Sequence, residues 1–358
     1  MAGHSAIRAF PKIYSVLPNV ACLSSKSTHS CCNFSIPLFL KPPKYSATFN
    51  DLQKWHSWAT DLASSVGSSF AQIDNGPDSN LLKRELNWFL EDSLDDASIS
   101  SQIRSTVENN PPPSVSLRLP IDDLYTLWTE RIMQRRPFQY LVGCEHWRDL
   151  VLCVQEGVLI PRPETELIID LAEAAIKRGQ LGNGIWADLG TGSGAIAIGI
   201  ARILGSSGRV IATDLSSEAI RVASFNFQRY ELQDKIEIRE GFWFDTVREL
   251  EGKLEGIVSN PPYIPSGDLG CLQAEVGRHE PHLALDGGSS GMECLQFLVD
   301  GAASMLKSGG FFAFETNGEK QCESLQRWFE DEGRGTFYDV HVVPDFAGIR
   351  RFVTGFRS

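Results

Sequence analysis

The sequence predicts an α/β protein. A mostly parallel, seven-stranded sheet fills its second half, and a small helical domain precedes it, joined by a β-hairpin. Three observations carry this expectation. From about residue 164, apolar runs of strand length alternate with helical stretches, which implies a parallel sheet covered on both faces. The last two runs, 338–343 and 351–355, are separated only by residues 344–350, too few for a crossover helix, so the last strand is expected to pair antiparallel. Before residue 137 the apolar groups recur at helical spacing instead, as in residues 81–90 and 121–133.

Taken in chain order, residues 1–50 stand apart. They contain no Asp or Glu, five basic residues (Arg8, Lys12, Lys26, Lys41, Lys44) and eight serines. A basic, Ser-rich, acid-free N-terminus is the signature of an organelle transit peptide, so a disordered leader is expected over 1–50. Its Ser richness and single Arg favour chloroplast stroma over mitochondrion. The rest of the chain holds 28 basic residues against 45 acidic, a net of −17. So acidic a body binds nucleic acid poorly, because affinity for phosphates comes from Lys and Arg.

Residues 51–143 form the expected helical domain, broken at Gly76-Pro77-Asp78-Ser79-Asn80 and Pro111-Pro112-Pro113. Trp55, Trp58 and Trp88 lie at helical spacing and are expected in its core. Residues 144–163 carry two extended runs, 150–154 and 157–160, read as a hairpin linker. Over 164–358 the strand candidates are 185–189, 209–214, 235–239, 256–259, 310–315, 338–343 and 351–355.

Eight cysteines do not make a disulfide framework. Cys22, Cys31 and Cys32 fall in the leader. Cys144, Cys153, Cys271, Cys294 and Cys322 are scattered, odd in number and form no C-x-x-C, which argues for reduced thiols and against a zinc site. No apolar run approaches the ~18 residues that span a bilayer.

Four motifs carry chemistry. Asp188-Leu189-Gly190-Thr191-Gly192-Ser193-Gly194 follows a strand and opens a helix, so a ligand can lie against bare backbone near a helix N-terminus. Asp214 ends the next strand, 24 residues after Gly190, where an acid accepts hydrogen bonds from ribose hydroxyls. The alternative is a helix N-terminal acid. Gly241-Phe242-Trp243-Phe244-Asp245 follows the third strand, and an aromatic there either stacks on a base or belongs to the core. Asn260-Pro261-Pro262-Tyr263 follows the fourth strand, at the carboxyl edge where open α/β sheets bind ligands. Its prolines remove two backbone donors and leave carbonyl acceptors. Asn adds a side-chain acceptor, and Tyr can stack on a plane. Two acceptors grip the two hydrogens of a planar –NH₂ group on an amide or a base.

Together these motifs resemble class I S-adenosylmethionine-dependent methyltransferases acting on nitrogen, which have a Rossmann-like sheet. Three further segments sharpen the likeness: Gln139-Tyr140-Leu141-Val142-Gly143, then Gly157-Val158-Leu159-Ile160-Pro161-Arg162-Pro163-Glu164-Thr165-Glu166, and Glu280-Pro281-His282-Leu283-Ala284-Leu285-Asp286-Gly287-Gly288. With them the chain resembles the HemK/PrmC family, the peptide chain release factor glutamine N5-methyltransferases, from about residue 135 to the C-terminus. Residues 51–134 match only in helical character and position.

The resemblance implies S-adenosylmethionine as cofactor, no metal, and a protein substrate: the Gln of the Gly-Gly-Gln motif in class I release factors. By position, Gly190, Thr191, Gly192, Ser193 and Gly194 would cradle the methionine part of the cofactor. Asp214 would bind ribose, and Trp243 would sit by the adenine. Asn260, Pro261, Pro262 and Tyr263 would hold the glutamine, with Asn260 also beside the cofactor and Asn260, Pro261 and Tyr263 acting in catalysis. Arg162 and Glu164 either close over the substrate or form a local ion pair. The helical domain would read the body of the factor. The chain departs from the family pattern at Glu315-Thr316-Asn317, where Glu-Ile-Gly is usual, and at His279, where an aromatic is common. No role is assigned to Glu315 or His279. The rival readings are an amino-group methyltransferase acting on adenine N6 or guanine N2 of nucleic acid, and a non-catalytic cofactor-binding partner of the translation machinery.

Overall fold

The structure is a computed structural model and describes residues 36–105 and 112–358. The expected leader up to residue 35, with Cys22, Cys31 and Cys32, lies outside the described residues, as does Pro111. Ile36–Ser358 forms one compact unit.

The folded chain starts earlier than composition suggests. Residues 36–50 are structured, which corrects the expectation of disorder through residue 50. Leu38 is buried, and Tyr45–Thr48 (β1) pairs antiparallel with Ser114–Leu117 (β2). Arg118 Nη1 donates to the Lys41 carbonyl at 2.5 Å. A short strand is stabilised by the partner it finds, and here that partner lies about seventy residues away, where composition does not reach.

Three long helices build the centre of the domain. Phe49–Val66 starts on Thr48, whose side chain accepts from the Asp51 amide, and Ser79–Ser93 starts on Asp78, which accepts from the Leu81 amide. Ile121–Met133 follows Pro120. Trp55, Phe89 and Trp128 fill the space between them, with the Trp128 indole N–H donating to the Ala59 carbonyl at 3.0 Å. Trp55 is core as expected and Trp58 is half-buried. Trp88 is instead 38% exposed and leans on Phe138.

The hairpin exists but uses other residues. Its strands are Cys144–Trp147 (β3) and Leu150–Cys153 (β4), not 150–154 with 157–160. The turn, Arg148-Asp149, has no glycine. Arg148 takes a φ of +52° because its amide donates to Glu166 Oε1 and its guanidinium to the Glu166 carbonyl and Asp170. Tertiary hydrogen bonds supply what turn residues normally supply.

The main sheet has the seven expected strands: Ile185–Leu189 (β5), Arg209–Asp214 (β6), Ile236–Glu240 (β7), Leu254–Ser259 (β8), Leu306–Glu315 (β9), Phe337–Pro344 (β10) and Arg350–Arg357 (β11). Their order is β10-β11-β9-β8-β5-β6-β7. β11 is antiparallel to both neighbours, while the other pairs are parallel. Alternate residues of β9 feed two cores, Phe311 and Ala313 on one face and Phe312 and Phe314 on the other. The winding reverses between β5 and β8, and this places a crevice beyond their carboxyl ends.

Candidate active site

The glycine turn after β5 works through its backbone. Gly190, Gly192 and Gly194 have φ of +76°, +55° and +85°, a region that side-chain-bearing residues rarely adopt. The amides of Gly190 and Thr191 donate to the Thr213 carbonyl at 2.9 and 2.8 Å, and the helix Ala195–Ile203 follows. Asp214, at the end of β6, accepts from the Gly192 amide on Oδ2 and from the Ser216 amide on Oδ1, both at 2.9 Å. Ser216, not Asp214, caps the next helix. A carboxylate has about four acceptor positions, and the amides of Gly192, Ser216 and Leu215 draw on them, so acceptor capacity remains for a ligand hydroxyl. Burial raises the Asp214 pKa above its ordinary value.

Gly190 and Gly192 line the cleft. Thr191 and Ser193 are buried: the Thr191 hydroxyl donates to Asp188 at 2.6 Å, and the Ser193 carbonyl accepts from Asn226 at 2.8 Å. Asp188, which the motif reading passed over, is pushed up to about 7 by burial. Its Oδ2 also accepts from the Ala197 amide, while its Oδ1 has no partner; neither has the hydroxyl of Thr213, a residue that lines the cleft. Buried polar atoms are nearly always paired. Of the two, Asp188 lies beneath the glycine turn and does not line the cleft, whereas the unpaired Thr213 hydroxyl does and fits a ligand that brings its own polar group.

Trp243 and Phe242 line the cleft, whereas Phe244 belongs to the core, so the aromatic cluster divides between the two readings. A Cβ on Gly190 would meet the Trp243 ring at 3.3 Å, so the indole lies across the glycine turn.

Asn260 and Pro262 line the same cleft from the end of β8; Pro261 is buried and Tyr263 half-buried. The Leu-Ala-Leu-Asp-Gly-Gly segment runs beside them. The Ile264 amide donates to the Leu285 carbonyl at 3.0 Å and the Gly287 amide to the Ile264 carbonyl at 2.9 Å. A Cβ on Gly287 would lie 2.7 Å from Tyr263 Cα, so only glycine permits this approach. Asn260 Nδ2 donates to Thr165 Oγ1 at 3.0 Å, Thr165 Oγ1 to Glu315 Oε2 at 2.6 Å, and Tyr263 Oη to Glu315 Oε1 at 3.2 Å. Glu315 is buried, and burial pushes it up to about 7.

Arg162 pairs with Glu280 at 2.6 Å, which replaces the local pair with Glu164 considered from sequence. The other Glu280 oxygen accepts from the Ile160 amide at 3.3 Å. Neither Arg162 nor Glu164 lines the cleft. Residues 157–159, expected as strand, do. His279 reaches back to the helical domain, with Nε2 2.8 Å from the Gln134 carbonyl. The cleft encloses about 910 Å³, counting its open mouth. Thr165 and Glu315 are the functional candidates that sequence reasoning did not assign. Both stand inside quoted motifs, but their partners are 95 and 150 residues apart in sequence.

Among the described residues, no three His, Cys, Asp or Glu stand close enough to hold a metal ion, and no helix is long and apolar enough to cross a membrane. Residues 168–274 match the family model described as the methyltransferase small domain. A release factor glutamine methyltransferase of Thermosynechococcus vestitus is 40% identical over 305 residues, covering 84% of this chain and 97% of its own length. One from Synechocystis sp. is 35% identical over 309 residues, covering 85% and 95%. Among solved structures, a methyltransferase from Geobacter sulfurreducens aligns at a TM-score of 0.39 and 14% identity, covering 56% of this chain and 80% of its own.

Proposed function

Because the chain belongs to the family of release factor glutamine methyltransferases, which depend on S-adenosylmethionine, we propose that it methylates the side-chain amide nitrogen of the Gln in the Gly-Gly-Gln motif of organellar class I release factors. The observation that carries this reading is the placement of Asn260. Its Nδ2 is held by Thr165, and the residue lines one cleft together with Asp214, Trp243 and the glycine turn.

Gly190 and Gly192 would hold the methionine part of the cofactor against backbone, with the unpaired Thr213 Oγ1 lining the cleft beside them. Asp214 would accept from the ribose hydroxyls, and Trp243 would lie by the base. When bound, the cofactor supplies an electrophilic methyl group on a sulfonium.

An amide nitrogen is a poor nucleophile, because its lone pair is delocalised into the carbonyl. Asn260 Oδ1 and the Pro261 carbonyl are the acceptors for its two N–H bonds. Accepting both turns the nitrogen lone pair toward the cofactor side of the cleft. It also stabilises positive charge growing on nitrogen. The gain comes from positioning and from dipoles fixed before reaction. Pro261 and Pro262 contribute no N–H that would compete for those acceptors.

The net negative charge supports a protein substrate over nucleic acid. The acid-free, Ser-rich residues 1–50 support a chloroplast stromal address ahead of a mitochondrial one, and a fluorescent fusion of that segment tests it. The test of function is incubation with labelled S-adenosylmethionine and a purified organellar release factor, then mass spectrometry of the Gly-Gly-Gln peptide. A single methyl on that glutamine, absent when the glutamine is replaced by alanine, supports the reading. Transfer to adenine N6 or guanine N2 instead overturns it.

A further inference from the structure

Asn260 has two ends of the same shape and opposite chemistry. Turned by 180°, an amide side chain fills the same space but offers two donors where it had an acceptor. The reaction proposed above needs the acceptor end in the cleft, and the Asn260 side chain by itself does not choose.

The choice is made two residues away from the substrate. A hydroxyl has one proton, and Thr165 Oγ1 stands between two partners, 3.0 Å from Asn260 Nδ2 and 2.6 Å from Glu315 Oε2. Ionised, Glu315 can only accept. The Thr165 proton therefore points at Glu315, and the hydroxyl has only lone pairs to offer Asn260. Only the Nδ2 end of the amide satisfies a lone pair. The second Glu315 oxygen accepts from Tyr263 Oη at 3.2 Å, so both hydroxyls donate into one carboxylate. The donors run one way, from Asn260 to Thr165 to Glu315, with Tyr263 joining from the same loop as Asn260.

We propose that Thr165 and Glu315 are positioning residues that fix the Asn260 amide with Oδ1 toward the substrate, and that ionised Glu315 sets this direction. The proposal rests on the reading that Asn260 binds the substrate amide. Protonated on Oε2, the oxygen that faces Thr165, Glu315 becomes a donor to Thr165. Thr165 then donates to Asn260 Oδ1, and the amide turns its NH₂ end into the cleft, where it opposes the substrate NH₂. The groups facing Glu315 are Thr165 and Glu164 from the segment after Arg162, Tyr263 from the loop after β8, and Arg351 from β11. The Arg351 charge favours the ionised carboxylate and the Glu164 charge opposes it. Arg351 is itself held by Asp345 at 2.9 Å.

The test uses the full chain, S-adenosylmethionine and a release factor, with kcat and KM measured from pH 5.5 to 9. Thr165→Val is expected to lower kcat by about tenfold or more, a size typical of groups that orient a functional residue, with the KM for S-adenosylmethionine within about twofold. Thr165→Ser is expected to restore kcat, because it keeps the hydroxyl. Wild-type kcat is expected to fall on acidification through the Glu315 titration, and Glu315→Gln to lose that limb. Binding of S-adenosylhomocysteine to each variant reports that the fold is intact. A Thr165→Val enzyme with wild-type kcat overturns the proposal, as does an acid limb in kcat that persists in Glu315→Gln with S-adenosylmethionine held saturating at every pH. Asn260→Ala separates the two levels. If it methylates normally, the reading of Asn260 is wrong. If it is inactive while Thr165→Val is normal, only the positioning proposal falls.

Discussion

Arg131 of the helical domain and Glu275, in the segment between β8 and the Leu-Ala-Leu-Asp-Gly-Gly motif, form a buried ion pair at 3.0 Å. Arg131 also grips both oxygens of Glu85, at 2.8 and 3.2 Å. Glu275 in turn receives Arg135, whose Nη2 also reaches Asp74 at 3.0 Å. Asp74 closes the ring by accepting from the Ala274 amide at 2.9 Å. Two arginines and three carboxylates thus tie the helical domain to the stretch of chain that leads into the motif packed beside the Asn-Pro-Pro-Tyr loop.

Removing one member of such a cluster strands the others in a place that disfavours charge. Glu275→Ala is expected to destabilise the protein by about 3–5 kcal/mol, read as a lowered urea midpoint with unchanged slope. Burial alone would push the Glu275 carboxyl up, but its hydrogen bond from Arg135 and the charge of Arg131 outweigh that and hold it below the ordinary range. A depressed carboxylate contributes stability above its unfolded pKa, near ~4.3. That contribution is lost as pH falls through the folded value. The difference in stability between wild type and Glu275→Gln is therefore expected to shrink below about pH 4.

Asn260→Ala is expected to reduce kcat by about 10²–10³, the usual loss for one preorganised group at a reacting centre, with cofactor binding retained. Gly287→Ala is expected to reduce kcat as well without touching the substrate. Its new Cβ would fall 2.7 Å from Tyr263 Cα and push the loop that carries Asn260. Single-turnover methylation of the release factor checks both.

Asp214→Ala removes the proposed acceptor for the ribose hydroxyls and also releases the Gly192 amide. Hydrogen bonds to a charged group contribute about 1.5–3 kcal/mol, so cofactor affinity is expected to fall by about 10- to 100-fold. Calorimetry with S-adenosylhomocysteine measures it. Because burial raises the Asp214 pKa, cofactor binding is expected to weaken on acidification sooner than an ordinary aspartate would dictate.

Arg162→Ala leaves Glu280 buried with its charge uncompensated. A loss of about 3 kcal/mol is expected, the low end for a broken buried pair because Arg162 is partly exposed. Replacing both, Arg162→Met with Glu280→Gln, is expected to recover part of it. Thermal unfolding of the single and double variants provides the comparison.

Local pattern was enough for much of the molecule. All seven strands of the main sheet were legible, and β5 and β6 to the residue, because apolar run length and helix alternation are properties of neighbouring residues. The glycine turn and Asp214 were legible for the same reason. Composition misled at 36–50, where β1 depends on β2, and at the hairpin, where the Arg148 turn is held by Glu166 and Asp170 rather than by its own residues.

The amino-acid pattern alone determined the order of elements, the antiparallel last strand and which residue types stand at the sheet's carboxyl edge. Each of these follows from backbone preferences and side-chain types within a few positions. Folding in three dimensions decided which atoms of those residues are free to act. Asn260 owes its direction to Thr165 and Glu315, the latter 55 positions further along the chain. Arg162 owes its partner to Glu280. A hydrogen bond or ion pair is set by distance in space, and only packing brings such groups within 3 Å of each other.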